Sequence, residues 1–98
     1  MERGGYTYIL TNKNKTVLYV GVTSKLRTRI TDHKEKKFAK SFTAKYNVNL
    51  LVYYEGFHSI EDAIDREKQL KSGSRAKKEE LVNRMNPGWL DLYDQLED

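Results

Sequence analysis

Residues Leu18 to Lys34 read LYVGVTSKLRTRITDHK, which opens as a strand and closes as a basic helix. Tyr6 to Thr11 (YTYILT) and Thr16 to Val22 (TVLYVGV) are rich in β-branched and aromatic residues, and Asn12-Lys13-Asn14-Lys15 between them is turn material. This pattern predicts a β-hairpin with a loop of about four residues. Thr23 or Ser24 then caps a helix running to about Lys37, with an apolar stripe of Leu26, Ile30 and Phe38. Arg29 stands three after Leu26, and His33 stands four after Arg29, so these side chains cluster on one side with Ile30. A guanidinium and an imidazole beside an apolar face cost free energy unless they have partners or work to do.

Beyond this helix, Ser41 to Tyr46 reads as a polar connection and Val48 to Tyr54 (VNLLVYY) as a third strand ending near Gly56. Ser59 begins a second helix, and Ser59 with Asp62 has the spacing of a capping box. Ile60, Ala63, Ile64, Glu67 and Leu70 follow the helical period. Gly73 ends that helix, Ser74 caps a third one to about Met85, and Asn86-Pro87-Gly88 stops it. Trp89, Leu90, Leu92 and Tyr93 are expected to tuck onto the core, and the acidic tail after Tyr93 to fray. The order β-β-α-β-α-α gives an α+β layer fold, its sheet antiparallel at least in the hairpin, with helices packed against it.

The 98 residues make one domain, 1–98. A chain of this size buries only ~60–65% of its unfolded surface, so its core is lean. The seven tyrosines against three phenylalanines suit half-buried sites where one end of the ring meets a polar group. Without cysteine there are no disulfides and no thiolate metal sites, which fits a reducing compartment. No apolar run approaches the ~20 residues of a membrane span. The N-terminus lacks the apolar segment of a signal peptide, so no membrane association is expected and the cytoplasm is the default location. Charge is uneven: residues 1–49 hold 11 Lys/Arg and 3 Asp/Glu, net +8, whereas residues 50–98 hold 7 and 11, net −4. The basic half suggests a polyanion partner such as nucleic acid; the plainer reading is a solvated, Lys-rich surface.

Arg29 at the edge of the first helix can hold a phosphate through two parallel hydrogen bonds. His33 one turn on can add a proton switch or a second phosphate contact. The structural alternative is an Arg stem packed on an apolar rim, with His33 an ordinary surface residue. Glu67 lies on an apolar stripe and needs a cation, either an Arg or Lys partner or a hard metal such as Mg²⁺. Tyr6 and Tyr8 alternate to one face of the first strand, and Tyr19 lies across the hairpin. Phenols near an Arg and a metal can orient or deprotonate an attacking water. Otherwise they are hairpin core aromatics. A free Tyr, with its pKa near ~10, needs a nearby cation to act as a base. Two Tyr, one Arg, one His and one Glu, brought to one sheet face, would suit phosphodiester hydrolysis.

In these residues the chain resembles the GIY-YIG nuclease family, specifically its small stand-alone (URI-type) members, over Tyr6 to about Tyr93. The first motif falls on Tyr6-Thr7-Tyr8, and the second is Tyr19-Val20-Gly21. Thr23, Leu26, Arg29 and His33 follow at the family's spacing, and Glu67 sits in Arg66-Glu67-Lys68-Gln69-Leu70-Lys71. The resemblance implies a three-stranded antiparallel sheet flanked by helices, and cleavage of DNA with a single Mg²⁺ or Mn²⁺. It implies that Tyr8 and Tyr19 orient or deprotonate the water, Arg29 steadies the phosphate, His33 assists, and Glu67 holds the metal. Asn86 is the candidate phosphate contact near the end of the domain, with Asn83 the alternative. The Gly and Ile of the first motif are replaced by Tyr6 and Thr7, and Gly4-Gly5 reads as a flexible lead-in unless it takes over the Gly's backbone role.

Larger relatives carry a second domain that chooses the target; here a separate targeting protein, or branched or damaged DNA, would supply selectivity. Lys25, Arg27, Lys34, Lys36, Lys37 and Lys40 are candidate backbone contacts, against the alternative of a solvated helix face. A non-catalytic nucleic-acid-binding domain with the same basic face is the competing reading, though a carboxylate there repels phosphate. A purely structural or partner-binding domain explains the charge asymmetry but not Glu67.

Overall fold

A computed structural model describes residues 4–96. The hairpin is present: β1 spans Gly5–Thr11 and β2 spans Leu18–Thr23, paired antiparallel with Tyr8 opposite Gly21 and Leu10 opposite Tyr19. The connection covers 12–17, longer than the expected turn, because the Asn12 side chain shapes it. Its Oδ1 accepts from the N–H groups of Thr16 (2.8 Å) and Val17 (3.3 Å). The third strand, β3 (Leu50–Phe57), pairs antiparallel with the other edge of β1, giving the order β2-β1-β3. It runs past Gly56, which lies within the strand opposite Tyr6 rather than ending it. A register shift falls between Ile9 and Leu10, where Ile9 faces Tyr53 and Leu10 faces Leu51. Val52 is the extra residue, so the consecutive Val52 and Tyr53 both join the same apolar cluster.

Helix α1 covers Leu26–Lys34 and buries Leu26, Ile30 and His33. It stops short of Lys37 because Lys36 takes a left-handed φ of 54°. Neither Thr23 nor Ser24 caps it. Lys25 is the cap residue, and the Thr23 hydroxyl is spent on the N–H of Lys25 before the helix begins (3.1 Å). Phe38 is off the stripe, 54% exposed. The expected polar connection holds one helical turn, α2 (Phe42–Lys45), capped by the Ser41 hydroxyl. Helix α3 (Ile60–Ser72) is capped by Ser59, whose hydroxyl accepts from the Asp62 N–H, and Gly73 closes it. Helix α4 (Arg75–Met85) is capped by Ser74.

The sheet has a core on each side. Tyr8, Leu10, Leu26, Ile30, Val48, Leu51 and Leu92 form one cluster, with α1. Ile9, Val20, Val52, Tyr53, Leu70 and Val82 form the other, with α3 and α4. Gly5 is no flexible lead-in: it is buried in β1, and a Cβ there would meet Ile60 Cδ1 at 2.8 Å and Ala63 Cβ at 3.0 Å. The Thr7 hydroxyl fixes the same contact by donating to the Ala63 carbonyl at 2.7 Å.

The segment after α4 packs back as expected through Leu92, Trp89 and Tyr93, but Leu90 stays 66% exposed. The tail does not fray at Tyr93. A 3₁₀ turn spans Tyr93–Gln95, and Leu96 packs on the core, held by a hydrogen bond from Arg27 to its carbonyl (3.1 Å). The last acidic residues, 97–98, lie outside the described residues. No described helix is long and apolar enough to cross a membrane.

Candidate nuclease site

β1 is the central strand, so Tyr8 is covered on both sides and is only 1% exposed. Its ring crosses its hairpin partner Gly21 so closely that a Cβ at Gly21 would stand 2.4 Å from Tyr8 Cζ and Oη. The phenol thereby reaches His33 on α1, with Oη 3.0 Å from Nε2. On the far side of the imidazole, Nδ1 lies 2.9 Å from Thr43 Oγ1 on α2, and Thr43 lies 3.3 Å from the Ser41 hydroxyl. Tyr19 completes the group, its ring centroid 5.8 Å from His33 and 6.5 Å from Tyr8.

Burial and the Arg29 charge push the imidazole of His33 down to about 4, against a weaker opposing pull from Asp32. Burial chiefly pushes the Tyr8 phenol upward, helped by Tyr19 and Glu67, while the charge and hydrogen bonding of Arg29 pull it back. At neutral pH both groups are therefore uncharged. The neutral ring carries one proton, so one of its nitrogens donates and the other accepts in these two hydrogen bonds. His33 is accordingly a buried, doubly hydrogen-bonded residue rather than an ordinary surface one. Its proton linkage has a definite sign. Unfolded His33 titrates near 6.5 and folded His33 near about 4, so between these values the unfolded chain binds the extra proton. Stability is complete above the higher value and falls as pH drops through this window, by ~3 kcal/mol at full extent. Thermal unfolding of the parent chain and His33→Gln between pH 7 and 4 should show a steeper acid decline in the parent. Parallel curves would remove His33 as the source.

Arg29 is half-buried at the rim of this group, its guanidinium 5.4 Å from the Phe38 ring centre. Glu67 arises differently from the single-face convergence expected. Its helix packs on the face opposite α1, yet its carboxylate is felt by the Tyr8 phenol. The Glu67 side chain is 16% exposed and pairs with Lys71 at 3.3 Å on the next turn. Among the described residues no cluster of three or more His, Asp or Glu gathers to hold a metal. A lone, largely buried carboxylate still fits Mg²⁺, which keeps several waters and commonly takes one or two protein carboxylates plus substrate phosphate.

The basic candidates divide. Arg27 donates to the Leu96 carbonyl and lies 4.8 Å from the Tyr93 ring centre. Lys34 donates to the Asn49 carbonyl (3.0 Å) and to Asp91 (2.5 Å), so both residues anchor the C-terminal segment. Lys36 bonds Asn47 at 2.6 Å. Lys25, Lys37 and Lys40 are exposed, Lys37 with Asp32 at 3.9 Å. Asn86 is buried, and its amide serves the backbone: Nδ2 donates to Val52 (3.2 Å) and Leu90 (2.7 Å) carbonyls, and Oδ1 accepts from the Leu90 N–H (3.1 Å). Asn83 is exposed and accepts from the Trp89 indole at 2.6 Å. Both asparagine side chains are thus engaged away from the group formed by Tyr8, Tyr19 and His33. Sequence reasoning missed Thr43 and Ser41, whose only signal was a capping serine before an apolar-polar turn.

Fold and side chains together are those of a nuclease-type α+β domain. The chain belongs to the GIY-YIG family: residues 4–80 match the model of the GIY-YIG catalytic domain. It is 40% identical over 82 residues to a UPF0213 protein of Natronomonas pharaonis, spanning 84% of this chain and 94% of that one. It is 35% identical to a UPF0213 protein of Syntrophus aciditrophicus, spanning 84% and 92%. The solution NMR structure of the UPF0213 protein BH0048 from Bacillus halodurans superposes with a TM-score of 0.52 at 34% identity, covering 86% of each chain.

Proposed function

We propose that this chain is a divalent-metal-dependent DNA endonuclease that hydrolyses phosphodiester bonds in one step, acting on branched or damaged DNA or at sites chosen by a separate targeting protein. The observation that carries this reading is the convergence on the Tyr8 phenol of His33, Tyr19, the Arg29 charge and the Glu67 carboxylate. A purely structural hairpin needs an aromatic there, but no cation and carboxylate acting on the same hydroxyl.

Within this reading a water attacks phosphorus as it gives up a proton to bulk water, and the bridging oxygen leaves with the electron pair of the broken P–O bond and takes a proton from bulk water. Tyr8, held protonated by burial, orients the water and does not deprotonate it. Tyr19 is half-buried and has the solvent access that the Tyr8 phenol lacks, which makes it the better placed phenol to meet the water. His33 fixes Tyr8 in direction, itself fixed by Thr43. Arg29 balances the charge that grows on the phosphate oxygens, where bidentate hydrogen bonding matters more than charge alone. Glu67 would hold Mg²⁺ or Mn²⁺, and the bound ion would supply positive charge to the same phosphate. Lys25, Lys37 and Lys40 offer exposed charge for the DNA backbone.

Cleavage of labelled duplex, flap and four-way-junction DNA, with Mg²⁺ or Mn²⁺ and then with chelator, tests the reading. Metal-dependent nicking is expected. Arg29→Ala should slow it by ~10²-fold, and Arg29→Lys should restore only part, since lysine offers no planar fork. The Glu67–Lys71 pair favours a second reading, a non-catalytic nucleic-acid-binding domain in which Glu67 only neutralises Lys71. DNA retarded in a gel regardless of metal, with nothing cut, would establish that reading instead.

A further inference from the structure

Among the described residues, every exposed large aromatic side chain falls within Phe38 to Tyr46: Phe38 at 54%, Phe42 at 49% and Tyr46 at 47%. Phe42 and Tyr46 continue a row of rings that starts at Tyr19. Tyr46 lies 4.9 Å from Phe42, and Phe42 lies 6.5 Å from Tyr19 with the planes only 22° apart. Tyr19 in turn touches His33 at 5.8 Å, so the row leads from solvent to the candidate site. Cations lie beside the three exposed rings: Arg29 is 5.4 Å and Lys37 5.8 Å from the Phe38 ring centre, and Lys45 is 5.4 Å from that of Tyr46. Residues 34–46 hold five lysines and one acid, Glu35.

Aromatic faces interleaved with cations complement a single-stranded polynucleotide, whose unpaired bases stack on rings while its phosphates meet ammonium groups. A duplex has its base faces already occupied and uses only the charges. We propose that Phe38, Phe42 and Tyr46 form a platform that stacks unpaired DNA bases beside the scissile phosphate, so that the substrate carries a single-stranded stretch at the cut. This rests on the nuclease reading above and gives its substrate class. The turn that presents Phe42 outward also points Thr43 inward onto His33, so a base seated on α2 rests on the element that holds the imidazole.

The test is fluorescence anisotropy in chelator with a labelled oligothymidylate, a mixed-sequence single strand and that strand's blunt duplex. The single strands should bind ~10-fold tighter than the duplex. Phe42→Ala and Tyr46→Ala should each weaken single-strand binding by ~10-fold, leave duplex binding unchanged, and Phe42→Trp should retain it. Tyr46 keeps the test valid if Phe42→Ala misfolds, because its ring packs on Phe42 alone among the aromatics. Equal affinity for strand and duplex, or no change in the alanine variants, overturns the platform. Tighter binding of oligouridylate than of oligothymidylate overturns the assignment to DNA. The readout needs no cleavage, so the two readings fail separately. A protein that stacks single strands but never cuts them refutes the nuclease. One that cuts blunt duplex at full rate with Phe42 and Tyr46 replaced refutes the platform.

Discussion

Glu67→Gln should reduce metal-dependent DNA cleavage by ~10³-fold or more while leaving the fold intact. Glutamine keeps the shape of the side chain and its packing beside Lys71, but has no charge with which to hold a hard dication. A bound ion is worth several kcal/mol of transition-state charge stabilisation, and each 1.36 kcal/mol is tenfold in rate. The fold should tolerate the change, because Lys71 is 54% exposed and can turn to water. Lys71→Ala supplies the contrast. If Glu67 acted only as the partner of Lys71, both variants would lose the same small stability and neither would lose activity. Single-turnover cleavage within a few-fold of the parent would end the metal-ligand assignment.

Gly21→Ala should strongly destabilise the chain and disable the Tyr8 site. The added carbon would stand 2.4 Å from both Cζ and Oη of Tyr8 and 2.8 Å from Cε2. Neighbouring ring atoms on the fully buried central strand have nowhere to go, so the phenol must swing off His33 or the hairpin must open. Overpacking of this kind costs ~1–3 kcal/mol, and the lost Tyr8–His33 hydrogen bond adds ~1 kcal/mol. For a domain of this size that is a fall in Tm of ~10–20 °C. Thermal unfolding by circular dichroism measures it, and a Tm within a few degrees of the parent would show that the ring has room. Gly21→Ala in a Tyr8→Leu background should recover most of the stability, since the clashing atoms are gone, but none of the activity.

Local signals carried much of the fold. The hairpin, the Ser59 and Ser74 caps and the Gly73 stop depend on residues a few positions apart, and their hydrogen bonds are those that such residues make. The failures share a non-local cause. A single turn such as Phe42–Lys45 is too short to express a helical period, so α2 read as connection. Gly56 looked like a strand end because glycine weakens strands, yet its pairing with Tyr6 keeps it in the ladder. The stripe Ile60, Ala63, Ile64, Glu67 and Leu70 identified an inward helix face but not which side of the sheet it would cover. Convergence of Glu67 with Arg29 on one sheet face was therefore not a property the periodicity could define. Tyr8, Tyr19, Arg29 and His33 were legible because the hairpin register and the helical spacing both act within about thirty residues. Thr43 was not, since its contact with His33 is made only once α2 folds back on α1.

The C-terminal segment has one more consequence. The matched catalytic domain ends at residue 80, but Leu92 is a member of the core that contains Tyr8. Its N–H closes on the Leu51 carbonyl at 2.7 Å, while Asp91 holds the Leu51 N–H and the Lys34 ammonium. Residues 86–96 thus act as a clasp across the end of the sheet. The core around Tyr8 is therefore complete only when residues 86–96 are in place. The stretch defined by family likeness and the stretch that completes the core are different units, and a fragment trimmed to the former would expose the face of the sheet that carries Tyr8.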